Sequence, residues 1–185
     1  MQAADGARQA LSARAQNVFF ALWPHARARA ALAQAARRMQ RVTQGQRTRD
    51  DRLHLTLAFV GAVDAEKLAC LLAPPADVLT SAFLLTLDDW GCWARSGVGW
   101  AAPSHSSAPL RDLAANLQGW LRDAGFELEN RAFAPHVTLV RKAQCAPLPD
   151  AMTSVAWQVE EFALVHSQPA PGGTRYATLR SWPLR

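Results

Sequence analysis

One tetrapeptide pattern occurs twice in this chain: His54-Leu55-Thr56-Leu57 and His136-Val137-Thr138-Leu139. Both copies sit in short apolar runs, Leu53–Val60 and His136–Val140, which read as strands with a buried face. Side chains alternate across a strand, so His and Thr project from one face while the aliphatic residues point into a core behind them. A single His-x-Thr is an ordinary polar pair on a solvated face. Repetition is harder to dismiss. With five His and nine Thr among 185 residues, composition alone yields two or more such hits about 2 per cent of the time, and far less often once the other two positions must be apolar. Each motif is therefore read as half of one site, offering an imidazole and a hydroxyl together.

The rest of the chain supplies elements to carry two such strands. Asn17–Trp23 reads as a buried strand, and Pro24 then introduces a helix over Ala26–Met39, dense in Ala, Leu, Gln and Arg. A polar loop follows from Thr43 to Arg52. After the strand His54–Phe59 and Gly61, Asp64 is the expected cap of a short helix reaching Leu72, which Pro74-Pro75 stops. Ala82–Leu87 and Val98–Ala101 read as strands around an aromatic, glycine-punctuated turn, Trp90-Gly91-Cys92-Trp93. From Pro109 to Ala124, Leu110, Leu113, Leu117, Trp120 and Leu121 recur at helical spacing, with Gly125 as C-cap. Strands at Glu161–His166 and Tyr176–Leu179 flank a turn at Pro169–Gly173. Several strands follow one another without helices between, which favours α+β with largely antiparallel sheets over a doubly wound parallel sheet.

Half of the residues are apolar, enough for a sizeable core, and no apolar stretch approaches the roughly 20 residues of a membrane span. The first 15 residues read as a loose tail without the apolar segment of a secretory signal, leaving residues 16–185 as one domain in a cytoplasmic setting. Cys70, Cys92 and Cys145 show no CxxC spacing and are expected to be reduced, mostly buried thiols. The formal charge is +5, and every basic residue except Lys67 and Lys142 is an arginine, whose planar fork suits phosphate oxygens. Asp88-Asp89 and Glu160-Glu161 are isolated acidic pairs rather than a two-metal cluster, and are read as solvated. His25 and His105 lack a companion Thr and read as surface residues; His166 could approach a cleft.

The paired motifs resemble the two-histidine (2H) phosphoesterase superfamily, and within it the RNA 2′,3′-cyclic phosphodiesterase branch, also called 2′-5′ RNA ligase-like. The resemblance covers residues 17–185. It is carried by Phe19-Phe20-Ala21-Leu22-Trp23-Pro24, by Leu53-His54-Leu55-Thr56-Leu57-Ala58-Phe59-Val60-Gly61 and by Phe133-Ala134-Pro135-His136-Val137-Thr138-Leu139-Val140-Arg141-Lys142. Phe162–Ser167, Arg175-Tyr176 and Trp182-Pro183-Leu184 add to it. The chain departs from the branch just before the first motif, where an acidic residue and Asn are usual and Asp51 and Arg52 stand here.

The resemblance implies a bilobal fold of two similar halves around a central cleft, with His54 as proton donor and His136 as proton acceptor. It also implies that Arg141 lies near the bound phosphate. Imidazole titrates near neutral pH, so one ring can be charged while the other is neutral. Thr56 and Thr138 are then hydrogen-bond donors to non-bridging oxygens, and Arg141 supplies charge. On this reading the chain hydrolyses RNA 2′,3′-cyclic ends to 2′-phosphates as a monomer, with neither metal nor other cofactor. The same site could join RNA ends through a 2′-5′ linkage or open a small nucleotide cyclic phosphate. An RNA-end binding module without turnover is the non-enzymatic alternative, and a zinc protein using both histidines would lack a third ligand at the usual spacing.

Overall fold

The computed structural model describes residues 16–185 except 75–77, 79, 106, 146, 149–150 and 172; the N-terminal tail expected over residues 1–15 lies outside the described residues. Among the described residues, ten strands and three α-helices follow in the order β1 (Gln16–Leu22), α1 (Ala26–Thr43), β2 (Gln46–Arg47), β3 (Leu55–Val63), α2 (Ala65–Leu71), β4 (Phe83–Leu87), β5 (Asp89–Trp93), β6 (Val98–Ala102), α3 (Ala108–Asp123), β7 (Val137–Arg141), β8 (Val155–Val159), β9 (Glu161–Ala170) and β10 (Gly173–Pro183). A 3₁₀ turn, Asp50–Arg52, precedes the first motif.

The main sheet runs β10-β9-β1-β3-β7-β6-β5, with β2 also on β7, and β4 pairs with β8 in a separate ribbon. Every pairing is antiparallel. The two motif strands are neighbours: β3 meets β7 at Leu55↔Val137. This seam divides the sheet into a half built on β1, β3, β9 and β10 and a half built on β5, β6 and β7. The result is an α+β fold of two halves with largely antiparallel strands. Helices interlock the halves. The first helix, α1, packs on β7 and β8, while α3 packs on β3 and β4, so each motif strand is backed by a helix from the other half.

Alternation assigns the faces. Along β1, Val18, Phe20 and Leu22 enter the large core under the helices, whereas Phe19 and Ala21 join Ala163 and Val165 in a small cluster on the other face. In β3 and β7, Leu55, Leu57, Val137 and Leu139 are buried in the large core, which leaves Thr56 and Thr138 half-buried on the opposite face. Burying both faces of β1 from Val18 onward explains why Val18–Leu22 is an unbroken apolar run.

Helix ends follow their local chemistry. Asp64 caps α2, its Oδ1 accepting from Lys67 N at 2.8 Å. Gly125 takes φ +79 after α3, where Phe126 N donates to Leu121 O at 2.9 Å. The first helix runs to Thr43 rather than Met39, because Thr43 is itself buried and its hydroxyl donates to Met39 O at 2.9 Å. The polar run after it is not wholly loop, since it holds β2 and the 3₁₀ turn.

Two expectations fail. Trp90-Gly91-Cys92-Trp93 is no turn but most of strand β5, paired with β6, and the chain reverses after Trp93 through Gly97 at φ +60. A glycine stands at 91 because the Trp100 ring on the paired strand occupies the space a Cβ would need. The cysteines are not all reduced, nor mostly buried thiols: Cys92 and Cys145 form a disulfide with Cα atoms 5.6 Å apart, and Cys70 is exposed. Antiparallel pairing of β6 with β7, continued by Ala143 N donating to Gly97 O at 2.9 Å, draws those two cysteines together. Their separation in sequence hid it. Strand β8, also unforeseen, alternates Val155, Trp157 and Val159 inward.

Candidate active site

The strands pair antiparallel at Leu55↔Val137, a register in which position 54 falls opposite 138 and position 56 opposite 136, so the two motifs adjoin at the seam. The halves also treat their histidines alike. His54 Nδ1 lies 2.7 Å from Arg52 O, and His136 Nδ1 lies 2.8 Å from Ala134 O, in each case the carbonyl two residues earlier. A carbonyl can only accept, so Nδ1 carries the proton and Nε2 holds the exchangeable lone pair on both rings.

The surroundings differ. His54 is caged by Phe19, Trp23 and Tyr176, with ring centroids at 5.1, 5.2 and 5.2 Å. Its pKa is lowered to about 4, chiefly by burial, with the Arg52 carbonyl opposing and the charges of Arg141 and His136 adding to the fall. His136 has one aromatic neighbour, Trp93, edge-on at 4.7 Å. Its pKa is also lowered, chiefly by burial, with Arg131 and Arg141 contributing and the Ala134 carbonyl opposing. Arg141 therefore acts on both imidazoles. It ends β7, paired with Gln46, and is exposed.

Two cavities flank the pair. One of about 260 Å³ is lined by Thr56, Phe59, Trp93, Phe133 and His136 among others, and is mainly apolar. The other, about 560 Å³, is lined by Arg49, Arg52, Arg175 and Tyr176, with Asp51 and Gln168. Sequence reasoning missed the aromatic cage and the arginine cavity as site features, although Phe19 and Arg175-Tyr176 belong to the runs that carry the resemblance.

The remaining candidates line neither cavity. His166 stands one contact away, its Nδ1 3.1 Å from Nε2 of Gln168, which lines the arginine cavity. His25 caps α1 and His105 sits at the exposed Ser104. Both acidic pairs are exposed, and Asp88 accepts from Ser104 N and Oγ at 2.7 and 2.8 Å. Among the described residues no three His, Cys, Asp or Glu side chains converge as a metal site, and no helix is long and apolar enough to cross a membrane.

The sequence model of the 2′-5′ RNA ligase superfamily matches residues 23–170. This chain belongs to that superfamily. A superfamily relative from Escherichia coli K12, named RNA 2′,3′-cyclic phosphodiesterase, is 40% identical over 135 residues, covering 72% of this chain and 77% of that protein. One of the same name from Thermus thermophilus is 30% identical over 178 residues, covering 91% and 90%. The crystal structure of E. coli LigT complexed with 3′-AMP superposes with a TM-score of 0.82 at 36% identity, covering 92% of this chain and 98% of LigT.

Proposed function

We propose that this chain hydrolyses the 2′,3′-cyclic phosphate at RNA ends to a 2′-phosphomonoester, with His54 as acid and His136 as base. A water oxygen attacks phosphorus as its proton passes to His136 Nε2, and the bond from phosphorus to O3′ breaks as His54 Nε2–H protonates the departing oxygen. Thr56 and Thr138 donate hydrogen bonds to the non-bridging oxygens, and Arg141 balances the charge that gathers on them. The two imidazoles and the guanidinium supply the proton transfers and charge stabilisation without a metal or other cofactor.

The observation that carries this reading is the matched pair of tautomers. Both Nδ1 atoms are held by carbonyls, at 2.7 and 2.8 Å, leaving Nε2 on each ring as the atom that can take or give a proton. The names of the relatives at 40% and 30% identity support the substrate class. Both motifs come from one chain, which fits a monomer, and RNA ends as substrate fit a cytoplasmic setting.

The test is an oligoribonucleotide ending in a 2′,3′-cyclic phosphate, incubated with chelator-treated protein. A 2′-phosphate with a free 3′ hydroxyl is expected, at a rate the chelator does not change. A 3′-phosphate product would reverse the roles of the two histidines. Loss of activity that added metal restores would remove the metal-free mechanism.

A further inference from the structure

We propose that the arginine-lined cavity beside His54 holds the phosphodiester on the 5′ side of the terminal nucleotide, which makes the preferred substrate an RNA chain end rather than a free nucleoside cyclic phosphate. The proposal rests on the ring-opening reading above. Three observations converge on it.

First, the cavity adjoins one histidine and not the other. Tyr176 lines it and is also edge-on to His54 at 5.2 Å, and Arg52, another lining residue, supplies the carbonyl that His54 Nδ1 contacts at 2.7 Å. His136 instead lines the smaller apolar cavity. In ribose, C3′ is bonded to C4′, which carries the 5′ carbon and its phosphate, whereas C2′ is bonded to C1′, which carries the base. If His54 protonates O3′, the next phosphate of the chain extends past His54, toward the arginines.

Second, the cavity carries uncompensated positive charge. Arg49 is held by Asp51 through Nε–Oδ1 and Nη2–Oδ2 contacts, both 3.0 Å. Arg52 and Arg175 take part in no ion pair among the described residues. Three guanidinium groups against one carboxylate leave room for a singly charged diester, whose two free oxygens match the arginine fork.

Third, the backbone makes space for one of these forks. Gly173 opens β10 at φ +127, and a Cβ there would lie 3.0 Å from Arg52 Nη1. The absent side chain lets the Arg52 guanidinium lie against the turn between β9 and β10, on the wall of the cavity, while Arg175 stands two residues further along β10.

The experiment compares kcat/KM for three substrates: a nucleoside 2′,3′-cyclic monophosphate, the same compound bearing a 5′-phosphate, and a dinucleotide ending in a 2′,3′-cyclic phosphate. Wild type is expected to favour the dinucleotide over the bare monomer by about tenfold or more. Arg52→Gln and Arg175→Gln, made separately so that a folding defect in one leaves the other informative, should each shrink that ratio several-fold. Equal rates on all three wild-type substrates would overturn the subsite while leaving ring opening intact. So would variants that lose the same factor on every substrate, since that pattern means the arginines act through His54. A preference confined to the 5′-phosphorylated monomer would assign the cavity to a terminal monoester and overturn the RNA-chain assignment. A wild type inactive on all three would overturn the ring-opening reading, and the subsite with it.

Discussion

The two motifs fold into the same local geometry and sit in unlike environments. On both sides of the seam a histidine precedes its strand, turns Nδ1 onto the carbonyl two residues back and stands beside the other motif's threonine position. On one side three aromatic rings exclude water; on the other a single indole does so, with Trp93 still 39% exposed. Repetition of sequence thus builds the frame, and the neighbours differentiate the rings. Burial disfavours the protonated form of both, more so at His54. An acid role for His54 then depends on the incoming phosphate, whose negative charge offsets Arg141 and restores the proton.

The largest expected effect tests this division of labour. His54→Ala and His136→Ala should each lower kcat by roughly 10²–10⁴-fold on an RNA cyclic end, the range for a lost general acid or base. On an activated aryl phosphodiester, whose leaving group needs no proton, His54→Ala should lose far less while His136→Ala loses as much as before. Equal losses of the two variants on both substrates would erase the functional difference between the halves.

A second difference is covalent. The Cys92–Cys145 bond ties β5, next to Trp93, to the segment after β7, so the only disulfide among the described residues braces the His136 half. Cys145→Ser should lower unfolding stability by about 4 kcal/mol, as closure of a loop across a separation of 53 residues suggests. Urea unfolding with and without reductant measures it: reductant should destabilise wild type and leave the variant unchanged.

Arg141 is the charge the halves share. Arg141→Lys should cost roughly tenfold in kcat/KM with the unfolding midpoint unchanged, because a point charge replaces a planar fork. Wild-type turnover would return Arg141 to the solvated surface.

What could be read in advance follows the range of the forces involved. The motif strands were legible because alternation is a local signal, and so were Asp64 and Gly125, whose caps involve residues a few places away. The strand at Trp90–Trp93 was misread as a turn because Gly91 answers to Trp100, a contact across strands rather than along the chain. The cage around His54 draws on β1 and β10, near opposite ends of the sequence, so no window of residues contains it. The disulfide and the arginine cavity were hidden for the same reason.

The smallest expected effect separates the two histidines electrostatically. Ring opening requires one proton shared across the pair, so kcat/KM should trace a bell whose acid limb reports the lower macroscopic pKa and whose alkaline limb reports the higher. With His54 near 4 and His136 also lowered from its ordinary 6.5, the bell of the free enzyme should centre on the acid side of 6.5. A positive charge disfavours imidazolium, and removing one raises the pKa of each ring it faces. Arg141 faces both rings, so Arg141→Gln should move both limbs to higher pH. Arg131 acts on His136 and is paired with Glu129 at 2.8 Å, so Arg131→Gln should move the alkaline limb alone, and by less. Exposure to solvent and salt keeps these shifts below about one pH unit. If Arg131→Gln moved the acid limb instead, the more deeply caged ring would not be the one with the lower pKa, and the ranking of the two environments would invert.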